Sequence, residues 1–176
     1  MNEYKLVFTG TTGAGKTTAI NAVSETPTIK TDVANTDASL DKALTTVGLD
    51  FGQISLTNGD RIRLFGTPGQ TRFDFMWKIL AKDAFGIIIL IDNSRADPLA
   101  DMDLYLTGFL KELETIPCVI GIGRSEKNPT PGIDDFSIRL AQRNLILPVI
   151  PVDVRRAQDV ILLIDILMAQ TEADMI

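Results

Sequence analysis

Residues 10–17 read Gly-Thr-Thr-Gly-Ala-Gly-Lys-Thr, directly after the apolar run KLVFT (5–9) and directly before the helical pattern AINAV (19–23). The stretch satisfies G-x-x-x-x-G-K-[ST] between an expected strand and an expected helix, the context in which this spacing has a mechanism. Its glycines let the backbone wrap so that successive N–H groups converge on phosphate oxygens, and the helix amino end adds partial positive charge. In that role Lys16 neutralises the terminal phosphates and the Thr17 hydroxyl binds Mg²⁺. Gly10, Thr11, Thr12, Gly13, Ala14, Gly15, Lys16, Thr17 and Thr18 are therefore the candidate phosphate contacts. The plain alternative is a glycine turn that merely joins strand to helix.

Outward from the loop the chain alternates. LDFGQISL (49–56) and RIRLFG (61–66), joined by TNGD, read as a hairpin, with Asn58-Gly59 supplying left-handed tolerance. The apolar phase changes between Leu49/Phe51 and Ile54/Leu56, which predicts a bulge near Gly52. FDFMWKILAK, DLYLTGFLKELE, DFSIRLAQRN and RAQDVILLIDILMAQ read as helices, and AFGIIILID, CVIGIG and LPVIPVD as buried strands. This order predicts an α/β fold: one P-loop domain over 1–176, with a mostly parallel six-stranded sheet, one antiparallel edge hairpin and helices on both faces. Ligands are expected at the carboxyl ends of the strands. Residues 25–46 are polar and threonine-rich, with one short helix expected at DASLDKAL; so long a connection argues for a functional segment. The closing helix is apolar on nearly all sides apart from Gln158, Asp165 and Glu172, which predicts deep burial or a partner on part of it.

Composition excludes several classes. Seventeen Lys and Arg against 23 Asp and Glu leave a net charge of −6, and no basic stripe is offered to nucleic acid. One cysteine, Cys118, rules out an intramolecular disulfide, and no apolar signal segment follows a basic start; a reducing cytoplasmic setting is expected. No apolar run approaches the roughly 20 residues of a membrane span, and neither a myristoylation nor a prenylation signal is present, so no direct membrane anchor is expected. Histidine is absent, which pushes any catalysis toward positioning and electrostatics.

With TVGLDFG (46–52) before one strand and LFGTPGQTRFDFMW (64–77) after the next, the sequence resembles the Ras-like small GTPases. It is most similar to the bacterial branch that carries FGTPGQ in its second switch and is often associated with roadblock/LC7-type partners. The resemblance covers nearly the whole chain and is weaker beyond residue 115. It implies a molecular switch that binds GTP and GDP with Mg²⁺, hydrolyses GTP slowly, and contacts effector or activator proteins through residues 31–50 and 66–82. It implies that the hydroxyl of Thr46 joins Thr17 on the metal, that the Gly69 N–H meets the γ-phosphate, and that Gln70 orients the attacking water while Lys16 holds charge.

The departures from the family pattern are equally specific. Where most relatives hold a metal-bound water with an aspartate, this chain has Gly66, leaving Asp50 or Asp92 to supply an outer-shell carboxylate. Where the family reads guanine with N-K-x-D, this chain has Gly123-Arg124-Ser125-Glu126. Glu126 would still receive the base N–H groups and the Arg124 stem would lie over the ring, but Gly123 lacks the asparagine's tie to the phosphate loop, so ATP is not excluded. Asp153-Val154-Arg155 resembles the third base loop. Thr12 stands where many relatives have the glycine that admits an activator's arginine. Two alternatives follow: a non-hydrolysing GTP- or ATP-binding adaptor, and a small-molecule kinase, which the lack of an arginine-bearing lid disfavours. The aromatics of FDFMW (73–77) either pack under the sheet or form a partner patch.

Overall fold

The computed structural model describes residues 1–34 and 46–173, with side chains for 1–29 and 49–171. Strand β1 (Glu3–Gly10) passes through the glycine loop into α1 (Lys16–Val23). Then come β2 (Ile29–Ala34), β3 (Thr46–Ser55) and β4 (Arg61–Gly66). A 3₁₀ turn at Thr71–Phe73 opens α2 (Asp74–Ala81), followed by β5 (Gly86–Asp92), α3 (Pro98–Gly108), β6 (Cys118–Gly123), α4 (Ile133–Gln142), β7 (Val149–Val152) and α5 (Ala157–Ala173). The sheet order is β2-β3-β4-β1-β5-β6-β7. Strand β3 alone runs against the rest, pairing antiparallel with both β2 and β4. The mostly parallel sheet with helices on both faces is the expected class. Ile29–Ala34, which reads as part of a polar connection, adds a seventh strand beyond the hairpin. An edge strand is held by backbone pairing on one side only, so IKTDVA needs no apolar alternation to form it. The helix expected at DASLDKAL lies outside the described residues.

Two large apolar layers clamp the sheet. On one face Ala19 and Ile20 of α1 and Val160, Leu163 and Leu167 of α5 pack on Leu6, Phe8, Leu64, Ile88 and Leu90. On the other, Trp77, Met102, Tyr105, Phe109, Phe136 and Leu140 from α2, α3, the residue after α3, and α4 cover Ile87, Ile89, Ile91, Ile120 and Ile122. Strand β5 contributes to both layers, which is why IIILI is apolar without alternation. A smaller cluster joins Val7 and Leu49 to Met76 and Leu80.

No bulge interrupts β3. Its register against β4 runs continuously from Asp50–Gly66 to Ser55–Arg61. The apolar phase change has another cause: Leu49 packs with the α2 cluster on one face, while Ile54 packs with the α1 and α5 layer on the other. Both faces are covered, so the apolar residues change sides without a break in pairing. At the hairpin turn it is Gly59 alone that takes the left-handed conformation, φ 89°.

Helix α3 begins earlier than DLYLTGFLKELE suggests. Asp97 accepts the Ala100 N–H at 3.0 Å and Pro98 is the first helical residue, an ordinary capping arrangement. Helix α5 buries one side only; Ile161 and Leu162 on the other are 45% and 48% exposed, so the deep burial expected of it is partial. Among the described residues no helix is long and apolar enough to cross a membrane.

The aromatic stack under the second layer fixes the chain that follows β4. Trp77 stacks on Tyr105 at 4.5 Å between centroids and on Phe109 at 5.7 Å, and its indole N–H donates to the Pro68 carbonyl at 3.1 Å. Replacing Trp77 with Ala should lower unfolding stability by about 3–5 kcal/mol, the usual cost of emptying a large aromatic site. Urea titration followed by circular dichroism measures it; a loss below about 1 kcal/mol would contradict this assignment of the core.

Candidate functional site

Every parallel strand in the middle of the sheet ends on one edge, and the residues singled out by motif collect there. Gly10 ends β1, Gly66 ends β4, Asp92 ends β5 and Gly123 ends β6. Because β3 is antiparallel, its beginning, Thr46 to Asp50, reaches the same edge. Strand β1 has β4 on one side and β5 on the other, the point where an open α/β sheet reverses its winding and leaves a crevice.

Glycine is required in the loop at two places for different reasons. At Gly10, φ 147°, a Cβ would lie 2.2 Å from the Leu90 carbonyl oxygen, so β1 and β5 touch backbone to backbone. At Gly15, φ 100°, it would lie 2.7 Å from Cγ2 of Val154, which brings the Asp153-Val154-Arg155 loop against the phosphate loop. Lys16 lies along this wrap with its ammonium donating to the carbonyls of Gly10 and Thr11 at 2.7 and 2.8 Å. Burial pushes its pKa down to about 8, opposed by the charge of Asp50. Thr11 is buried, and its hydroxyl is one of few buried polar atoms among the described residues with no partner. Ala14 packs into the core, whereas Thr12, Gly13, Thr17 and Thr18 face outward.

The Thr17 hydroxyl donates to the Asp50 carboxylate. Its hydroxyl and that carboxylate form a hard-oxygen donor set at the loop mouth, which suits Mg²⁺. Thr46 begins β3 opposite Ala34, with only its backbone described. Asp92 is engaged elsewhere: it accepts the Ser94 N–H at 2.9 Å and the Ser94 hydroxyl at 2.6 Å, and it pairs with Arg124.

Arg124 does what the sequence did not suggest. Its backbone is left-handed, φ 59°, and its guanidinium donates both to Asp92 and, at 3.3 Å, to the carbonyl of Gly13. The tie between base loop and phosphate loop that Gly123 lacks is thus made by the next side chain. A second residue missed by motif reasoning, Asn93, steadies that loop by donating its amide to the Asn128 and Pro131 carbonyls at 2.6 and 2.9 Å. Its one signal in the sequence is its place directly after the apolar strand IIILID.

One cavity of about 640 Å³ joins these parts, lined by residues 13–18, by 123–128 including Glu126, and by 151–155 with Asp159. Arg155 folds back on Asp153, donating its Nε and Nη2 and its backbone N–H to the Asp153 carboxylate, and these bonds hold that carboxyl well below the usual range. Arg155 therefore points its charge at its own loop. A smaller cleft of about 530 Å³ lies on the other side of the phosphate loop, between Thr11, Thr12, Gly69, Gln70, Arg72 and Arg95. Gln70 is exposed there, and two arginines that sequence alone did not place stand near it. Gly69 rests on Thr12 so closely that a Cβ would lie 2.4 Å from the Thr12 nitrogen. The buried hydroxyls of Thr9 and Thr67 bond at 2.8 Å, and the Tyr105 hydroxyl donates to the Gly69 carbonyl at 3.3 Å. Of the FDFMW aromatics, Trp77 is buried and Phe73 and Phe75 partly so, and Met76 between them is buried too, which favours packing over a free patch.

Residues 5–124 match the family model described as 50S ribosome-binding GTPase. The chain belongs to this GTPase family. The chain is 28% identical over 126 residues to the uncharacterized protein MJ1339 of Methanocaldococcus jannaschii, covering 71% of the chain and 72% of that protein. It is 26% identical over 152 residues to the Ras-related protein Rab-7L1 of Rattus norvegicus, covering 80% and 68%. In three dimensions it is similar to the Arl6 BBS3 small GTPase from Trypanosoma brucei, solved with the bound nucleotide analogue GppNp, at a TM-score of 0.74. That match has 14% identity and covers 98% and 99% of the two chains, a likeness of fold. The chain therefore has the small GTPase fold.

The buried ammonium of Lys16 makes a pH prediction for nucleotide binding. A bound polyphosphate favours the charged form and raises the pKa from about 8. Between that value and the ordinary lysine range, binding then takes up a proton, and affinity falls as pH rises. Calorimetry of GDP binding near pH 8.5 in buffers of different ionisation heat should register uptake of more than about half a proton, and almost none near pH 6.5. Equal uptake at both values would contradict the burial of Lys16.

Proposed function

We propose that the protein is a guanine-nucleotide switch that binds GTP and GDP with Mg²⁺, hydrolyses GTP slowly, and contacts effector or regulator proteins through residues 31–50 and 66–82. The observation that carries this reading is the single cavity shared by the phosphate loop and both base loops. Its volume falls within the range of small-molecule and cofactor sites. In this reading Gly13 to Thr18 hold the phosphates, Glu126 receives N–H groups of the base, and Arg124 keeps the base loop drawn to Gly13. Thr17 and Thr46 would hold the metal, which supplies charge neutralisation at the phosphates when bound. Gly69 and Gln70 flank the smaller cleft, where Gln70 would orient water toward the terminal phosphate. A fully buried single thiol, Cys118, accords with a reducing cytoplasmic setting.

One observation favours a second reading, a nucleotide-binding adaptor with negligible turnover. Thr12 fills the side of the loop against Gly69, and the Pro68 and Gly69 carbonyls are held by Trp77 and Tyr105. A second switch held this firmly has less freedom to reposition Gln70.

Chromatography of the nucleotide released from purified protein, followed by single-turnover hydrolysis, tests the reading. Guanine nucleotide is expected, with binding lost in Lys16→Ala, and with turnover reduced about 100-fold in Gln70→Ala while binding persists. Absence of turnover in the wild type would favour the adaptor. Phosphate appearing on a small acceptor instead of in water would overturn both readings.

A further inference from the structure

Asp50 and Gly66 are direct partners across the β3–β4 pair, at the end of the sheet that meets the phosphate loop. The Asp50 side chain crosses the space a side chain at 66 would use. A Cβ on Gly66 would lie 3.2 Å from Asp50 Cβ, 3.4 Å from its Oδ2 and 3.2 Å from Cδ1 of Ile20. That carboxylate accepts the hydroxyl proton of Thr17, the second residue of α1, and its charge opposes the lowering of the Lys16 pKa. Asp92, the other acid at this edge, spends its oxygens on Ser94 and Arg124. Among the described residues no group of three or more acidic or thiol side chains is gathered as a metal cage. Mg²⁺ at a nucleotide site is ordinarily held by one or two protein oxygens, phosphates and water.

We propose that Asp50 is the carboxylate of the divalent-cation shell, a positioning residue that acts through Thr17 and stands in for the acid absent at 66. By accepting the Thr17 O–H hydrogen bond it turns the hydroxyl's lone pairs toward the loop mouth, and it adds a full negative charge beside that position. Partners that orient a metal ligand in this way are commonly worth about 10–100-fold in metal affinity. The placement also moves the charge between strands. Asp50 lies four residues after Thr46 on β3, so both protein contributions outside α1 come from the strand that follows residues 31–45, and none from β4. Gly66 is glycine because the acid reaches in from its neighbour.

The inference rests on the nucleotide-switch reading, and one experiment separates the two. Release of the fluorescent nucleotide mant-GDP is timed in excess Mg²⁺ and in EDTA for the wild type, Asp50→Asn, and the double variant Asp50→Gly/Gly66→Asp. Chelation should speed release from the wild type by more than about tenfold. In Asp50→Asn, release in Mg²⁺ should rise about 10–100-fold toward an unchanged EDTA rate. The double variant, which returns the carboxylate from the facing strand into the space vacated by Asp50, should recover most of the Mg²⁺ effect. An Asp50→Asn protein that keeps the wild-type response overturns the proposal, as does one released faster in both buffers alike, which would make Asp50 a mere support of the loop. A double variant without recovery also overturns it. A wild type that retains no mant-GDP in either buffer removes the switch reading itself.

Discussion

The Lys16 ammonium lies against the carbonyls of Gly10 and Thr11, inside the loop to which it belongs. Burying a cation is costly unless oxygen atoms surround it, and here the backbone supplies them by wrapping. That wrap is possible only because Gly10 sits 2.2 Å, measured from an imagined Cβ, from the Leu90 carbonyl and because Gly15 takes a left-handed turn under Val154. The contact of β1 with β5 and the contact of the third base loop with the phosphate loop are therefore consequences of one constraint. The helix that follows starts where the wrap ends, with its first turn aimed into the same space.

Around this loop the two neighbouring strands have divided the chemistry unequally. The β4 side provides backbone only at its end, Gly66, and then a segment fastened at Thr67, Pro68 and Gly69 by Thr9, Trp77 and Tyr105. The β3 side provides the acid, Asp50, in contact with Thr17. On the far side Arg124 joins β5 to the loop through Asp92 and Gly13. Two separate side-chain ties, Asp50 to Thr17 and Arg124 to Gly13, thus converge on residues 10–17 from different elements. A change in either of them is felt in the loop because the loop has no independent core of its own.

Much of this was legible along the chain. The glycine loop, the hairpin, the unbroken apolar strand β5 and the alternation of strands with helices follow from spacing and period, which depend on neighbours within one element. The bulge expected near Gly52 failed because period alone does not tell a strand that breaks from one that is covered on both faces. The apolar periodicity of DLYLTGFL marks only the later part of α3, whose start is set by the Asp97-Pro98 opening signal. Strand β2 has no apolar alternation to announce it; only the backbone of β3 beside it makes it a strand.

The residues that bear on chemistry divide the same way. Local sequence determined the phosphate loop, Lys16 and Thr17 as a unit, because eight consecutive residues contain everything that wrap requires. Tertiary structure decided which acid meets Thr17, since Asp50 and Asp92 are equivalent as letters and differ only in strand partner. It also decided that Arg124 makes the tie to Gly13, which depends on a left-handed backbone at one position and an acid on the adjacent strand. Pairings between residues 30 or more apart are set by register and packing, and no period within either segment encodes them.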